Sequence, residues 1–125
     1  MAYAPYSSFH VGAAILLNDN TIHTGNNQEN AVFPSGLCAE RTALFGLMAH
    51  HPPMKIIAIA VTARRINIGA TPGGACRQVI AEYENRQNAS IPVLIQVGPE
   101  TFYRCQSVQD LLPLQFSQER FKQIF

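Results

Sequence analysis

The chain has 125 residues, 47% of them hydrophobic and 14% charged, with a formal net charge of +1. That length and composition fit one ordered domain (residues 1–125) with a real apolar core, and exclude a disordered segment. The near-neutral charge, with Arg64-Arg65 as the closest approach to a basic cluster, argues against a nucleic acid strand as partner and favours a small neutral ligand.

Residues 1–9 read as an ordered loop rich in Tyr, Pro and Ser. The small and aliphatic run Val11 to Leu17 predicts a strand, and Asn18-Asp19-Asn20 predicts a turn into a second strand over Thr21 to Gly25. Asn26 to Asn30 is a polar loop. Leu37, Leu44, Leu47 and Met48 fall at helical spacing, so a helix is expected from about Leu37 to Met48, preceded by Pro34-Ser35-Gly36 and stopped by His50-His51-Pro52-Pro53. Ile56 to Val61 is a continuous apolar run whose branched side chains predict a strand covered on both faces. A Gly/Pro loop from Gly69 to Gly74 leads into a second helix from about Ala75 to Tyr83. Short strands follow at Pro92 to Val97 and Thr101 to Cys105, with a helical turn at Gln109 to Leu112. A hairpin followed by alternating helix and strand indicates an α/β fold, a mixed sheet with helices on its faces.

No run is apolar for long enough to cross a bilayer, and Ala2-Tyr3-Ala4-Pro5 lacks a secretory pattern, so a cytoplasmic location is expected. In a reducing compartment Cys38, Cys76 and Cys105 point to buried thiols, metal ligands or nucleophiles rather than disulfide partners. The low charged fraction also suggests apolar surface covered by further copies of the chain.

Two segments carry chemistry: Cys38-Ala39-Glu40 and Pro72-Gly73-Gly74-Ala75-Cys76. Each lies where a Gly- and Pro-containing loop turns into a helix. The positive end of a helix favours the thiolate, the form of cysteine that binds zinc. Two helix starts aimed at one point would bring Cys38 and Cys76 onto a single metal, with Glu40 beside it. Taken singly, Cys38 reads as a small core residue and Glu40 as a carboxylate suited to a first helical turn. Their combination with the Asn27-to-Asn30 loop makes those readings the weaker ones. His10 reads as a packed or hydrogen-bonded side chain, and His50 and His51 as cations suited to a helix C-terminus.

The blocks Tyr3-Ala4-Pro5-Tyr6-Ser7-Ser8-Phe9-His10-Val11-Gly12-Ala13-Ala14, Asn27-Gln28-Glu29-Asn30-Ala31, Cys38-Ala39-Glu40-Arg41-Thr42-Ala43 and Gly74-Ala75-Cys76-Arg77-Gln78-Val79 resemble, in order, those of the small homotetrameric zinc-dependent cytidine deaminases. The resemblance runs from Ala2 to about Phe116. It implies a three-layer α/β/α sandwich with a mixed central sheet of about five strands, and zinc-dependent hydrolysis of cytidine or deoxycytidine in pyrimidine salvage. Cys38 and Cys76 match zinc ligands, and Glu40 matches the residue that shuttles protons. Asn27 and Glu29 match the pair that holds the ribose hydroxyl. Phe9 and Ala39 match substrate contacts, and Phe33 and Phe116 match aromatics that reach a neighbouring subunit's site. Arg41 matches the arginine that offsets the charge of a thiolate-rich zinc site.

The pattern departs at Gly73, where the family has a third zinc-ligating cysteine. Cys105 is expected to be a buried thiol and not a replacement ligand. Three accounts of Gly73 stand: a natural variant with impaired catalysis, a substituted or misread residue in an ordinary enzyme, or a junction left by a shortened Arg64-to-Thr71 segment. Relatives also carry a helix ahead of the first block, whereas here Met1 stands almost directly upon it. Its loss would expose apolar surface and bear on assembly more than on the site. Besides the deaminase, two rivals remain: a nucleoside-binding protein without catalysis, and a deaminase for another aminopyrimidine nucleoside.

Overall fold

A computed structural model describes residues 1–50, 55–64 and 71–117. The expectations placed on His51-Pro52-Pro53, Arg65 and Gly69 lie outside these described residues. Strand β1 (Val11–Leu17) and strand β2 (Ile22–Asn26) form the expected hairpin. Asp19 caps the turn between them, its Oδ1 accepting from Thr21 N at 3.0 Å and from Thr21 Oγ1 at 2.6 Å. Asn20 takes a left-handed φ of 69°, which asparagine tolerates better than most residues.

Helix α1 (Ala39–His50), strand β3 (Ile56–Ala63), helix α2 (Gly74–Gln87), strand β4 (Val93–Gln96) and strand β5 (Phe102–Cys105) follow. The five strands form one mixed sheet in the order β2-β1-β3-β4-β5. Only β3 and β4 run parallel, and α2 lies in the crossover that a parallel pair requires. The α/β fold with a five-stranded mixed sheet is therefore as the sequence predicts.

Facing pairs set the core. Ala13 lies opposite Val61, Ile15 opposite Ile59, and Ile59 in turn opposite Val93, all of them buried. Ala39, Ala43, Leu44 and Leu47 of α1 and Ile80 and Ala81 of α2 join the same apolar cluster. β3 departs from its reading as a strand covered on both faces: Ile57 is 45% exposed and Thr62 lies open. The predicted run Ile56 to Val61 is apolar throughout, so periodicity could not say which side was the more open.

α2 runs one turn further than its predicted end at Tyr83. The continuation holds Glu84, which is buried yet fully used. Its carboxylate accepts from Ile91 N and Val108 N at 2.9 Å each, and from Ser107 Oγ at 2.8 Å. A charged residue at that position reads as surface, while its actual partners lie 7 to 24 residues further along the chain. The left-handed Asn88 (φ 53°) then closes the helix.

One close approach positions α1, and with it the site. A Cβ added to Gly25 of β2 would lie 2.5 Å from the Ala43 nitrogen and 2.8 Å from its Cα. The α1 backbone thus rests directly on β2, and only glycine fits beneath it. Gly25→Ala is expected to lower stability by about 1–3 kcal/mol, checked as a fall in the thermal midpoint.

Candidate active site

Both chemistry-bearing segments stand at the starts of α1 and α2. The Cys38 carbonyl accepts from Thr42 N at 3.0 Å and from Thr42 Oγ1 at 2.9 Å, which makes Cys38 the capping residue of α1. Gly73 caps α2 in the same way, its carbonyl accepting from Arg77 N at 2.9 Å, and Cys76 lies in the first turn. The Cα atoms of Cys38 and Cys76 are 7.1 Å apart and their sulfurs are bonded to one another. The Sγ atoms and a Glu40 carboxylate oxygen all fall within 4.8 Å of one another. The two helix starts therefore converge, as the sequence suggests, although the cysteines meet as a pair where free thiols were expected.

Arg41 turns back onto this point. Its Nε donates to Cys38 Sγ at 3.2 Å, and its backbone N–H approaches the same sulfur at 3.4 Å. Positive charge and a helix start both favour negative charge on Cys38. Glu40 is 4% exposed, and burial pushes its carboxyl above the usual range, offset in part by its own backbone N–H and by Arg41. A carboxyl so placed can hold or release a proton nearer neutral pH than a surface glutamate can.

Two thiols and a carboxylate suit zinc, which takes sulfur and carboxylate oxygen ligands. In their reduced state Cys38 and Cys76 fit two positions of a tetrahedral ion. Gly73 offers nothing at the third. Cys105, half-buried on the edge strand β5 and away from this cluster, does not replace it. It is less buried than its sequence reading had it, because β5 is open along most of its length.

A cavity of about 750 Å³ opens over the cluster. Its walls include Phe9, Asn27, Glu29, Phe33, Ala39 and Arg41, together with Gly73 and the two cysteines. Nearly all the residues singled out in the sequence thus share one space. Phe116 does not line it; 55% exposed, it lies where Gln78 Nε2 donates to its carbonyl at 2.9 Å. Phe33 is 72% exposed at the rim and meets Tyr6 edge-on, ring centroids 5.6 Å apart.

Asn27 and Glu29 are already engaged. Asn27 Oδ1 accepts from Val11 N at 2.9 Å while its Nδ2 donates to the Phe9 carbonyl at 2.8 Å. Glu29 accepts from Tyr6 N at 2.9 Å, from Ser7 N at 3.1 Å and from the Ser7 hydroxyl. Ser7 Oγ in turn accepts from Phe9 N at 3.0 Å. Both side chains therefore fasten the loop that carries Phe9 to the cavity wall. Sequence reasoning missed Ser7, for which no spacing or composition signal exists, and Arg77. The latter binds the Pro72 carbonyl at 2.7 Å and the Leu111 carbonyl at 3.1 Å. His10 is packed, its Nδ1 buried without a partner among the described residues.

Residues 1–89 match the family described as "Cytidine and deoxycytidylate deaminase zinc-binding region". The chain is 42% identical over 118 residues to a cytidine deaminase of Sporosarcina psychrophila, covering 94% of this chain and 82% of that one. It is 48% identical over 81 residues to one from Halalkalibacterium halodurans, covering 65% and 60%. Among solved structures, the cytidine deaminase of Burkholderia pseudomallei superposes with a TM-score of 0.79 at 40% identity, covering 92% of this chain and 87% of that one. The Mycobacterium tuberculosis enzyme gives 0.69 at 30% identity, covering 92% and 85%.

Glu29 gives the cavity wall a pH signature. The Ser7 hydroxyl and the Tyr6 and Ser7 N–H groups hold its carboxyl below the model-compound value of 4.5. Its contribution is therefore complete above pH 4.5 and lost as the pH falls through the lower folded value. Glu29→Gln should lower the thermal midpoint at neutral pH, and that difference should shrink in melts taken progressively below pH 4.5.

Proposed function

Because the chain belongs to the cytidine and deoxycytidylate deaminase family, we infer that it hydrolyses cytidine or deoxycytidine to the uridine product and ammonia. The observation that carries this reading is the convergence of Cys38, Cys76 and the buried Glu40 at the floor of a nucleoside-sized cavity. Zinc held by the reduced cysteines supplies Lewis acidity, which eases the ionisation of water near neutral pH.

The chain's own residues do the rest. The pyrimidine enters between Phe9 and the Cys38-Ala39-Glu40 turn, with its amine-bearing carbon toward the floor. The Glu40 carboxylate accepts a proton from the attacking water and passes it to the adjacent ring nitrogen. It then relays the proton of the hydroxyl now on the ring carbon to the amine, so that the C–N bond breaks, the carbonyl forms and ammonia leaves. Arg41 balances negative charge gathered at Cys38. Asn27 and Glu29 face the sugar, and their bonds to residues 6–11 hold that wall in place while the ligand binds.

We read residues 1–125 as one domain working in the cytoplasm, in pyrimidine salvage, as a homotetramer. The support for assembly is the exposure of Phe33 and Phe116, aromatics with far more solvent contact than an isolated domain favours. Among the described residues no helix is long and apolar enough to cross a membrane. A binding protein without catalysis is not favoured, since the buried Glu40 carboxyl beside the two cysteines suits proton transfer.

Ammonia release and the ultraviolet change of the base, followed on reduced, zinc-supplied protein with cytidine, deoxycytidine and other aminopyrimidine nucleosides, test the reading. Glu40→Gln should lower kcat by about 10²–10⁴-fold with circular dichroism and thermal midpoint retained. Full turnover in that variant would remove Glu40 from its role. Turnover of another nucleoside alone would reassign the substrate.

A further inference from the structure

Ser7 stands between two residues already placed on the cavity wall, and the hydrogen bonds around it run in one direction. Ser7, Phe9, Asn27 and Glu29 all line the cavity. Phe9 N donates to Ser7 Oγ at 3.0 Å. The hydroxyl accepts there, so its single proton is given to Glu29 Oε2. A local turn makes this possible. Ser8 N donates to the Ala4 carbonyl at 3.0 Å, and Ser8 takes a left-handed φ of 57°, which brings Phe9 N back onto Ser7.

The two loops do not need this hydroxyl in order to meet. Tyr3 N donates to the Asn27 carbonyl at 3.0 Å and Glu29 N to the Tyr3 carbonyl at 2.8 Å, so backbone bonds already join them. What Ser7 adds is direction. An ionised carboxylate has about four acceptor positions, two on each oxygen. Tyr6 N and Ser7 N occupy those of Oε1, at 2.9 and 3.1 Å, and the Ser7 hydroxyl takes one on Oε2. A single position is left, on Oε2. The same hydroxyl is the largest influence holding the Glu29 carboxyl below its ordinary value of 4.5, and the charge of His10 acts the same way. Glu29 thus stays an acceptor, suited to a ligand group that donates, as a sugar hydroxyl does.

We propose that Ser7 is a positioning residue for the sugar of the nucleoside: its hydroxyl fixes the Glu29 carboxylate so that the open acceptor position on Oε2 takes a bond from a sugar hydroxyl. This role rests on the reading above that Glu29 faces the sugar. It gives Ser7 a part in ligand binding, through Glu29, and none in the proton transfers at Glu40.

Reduced, zinc-supplied protein is compared with its Ser7→Ala, Ser7→Thr and Glu29→Gln variants and with the variant carrying both Ser7→Ala and Glu29→Gln. Turnover of cytidine gives kcat and KM. Calorimetry gives the Kd of uridine and of 2′,3′-dideoxyuridine, which lacks the hydroxyls on the sugar ring. Ser7→Ala should raise the KM for cytidine and the Kd for uridine by roughly tenfold, the worth of one hydrogen bond to a charged group, with kcat little changed. Ser7→Thr, which keeps the hydroxyl, should restore both. Dideoxyuridine should bind the wild type and Ser7→Ala alike, and Ser7→Ala should add little in the Glu29→Gln background. Threonine and valine share a shape and differ in the hydroxyl, so Ser7→Thr against Ser7→Val carries the same comparison if the alanine variant does not fold. Unchanged KM and Kd in Ser7→Ala would remove Ser7 from this role. So would an equal loss on dideoxyuridine, or penalties that multiply in the double variant, since both mark a purely structural effect. Uridine binding that weakens as expected, in a chain that turns over no nucleoside, would sustain Ser7 while overturning the deaminase reading. A wild type that binds no nucleoside would overturn both.

Discussion

The site depends on how closely α1 can lie on the sheet. Its starting residues carry Cys38, Glu40 and Arg41, so any lift of the helix moves a sulfur, a carboxylate and a guanidinium together. Gly25 sets that distance by having no side chain where the Ala43 backbone arrives. Contact this direct between a strand and a helix backbone leaves little freedom for the helix to slide. Packing density, which resists even small displacements, then extends the constraint from Ala43 to Leu44 and Leu47 beneath.

Once α1 is fixed, the second helix has to meet it. α2 brings Cys76 up from the crossover between parallel strands, while Glu84 at its far end is held by two backbone N–H groups and a hydroxyl. One helix is thus located by steric contact and the other by charge-assisted hydrogen bonds at its far end. Their N-termini converge because each is anchored away from the point of convergence. The two cysteines need not organise the fold, because each helix is held by contacts of its own.

Much of this was legible in the sequence, and the rest was hidden for identifiable reasons. β1 was predicted to its observed ends because a small aliphatic run is bounded by an Asn-Asp-Asn turn. The meeting of Cys38 and Cys76 followed from two similar loop-to-helix transitions. The full length of α2 did not, because Glu84 looks like surface until its distant partners are known. The engagement of Asn27 and Glu29 with residues 6–11 was equally invisible, since hydrogen bonds across 16 to 23 positions leave no local pattern. Phe116 is a third case: its sequence position says nothing of which cavity, its own or another's, it faces.

Arg77 adds a feature with wider reach. Its guanidinium grips the Pro72 carbonyl just ahead of α2 and the Leu111 carbonyl beyond β5, while its neighbour Gln78 holds the carbonyl of Phe116. The residues after β5 are therefore laced to the turn of helix that presents Cys76. A displacement of that outer strap is therefore carried through two side chains to the end of α2 that holds Cys76. The start of α2 is thus steadied from the far side of the sheet's last strand, by residues that do not line the cavity themselves.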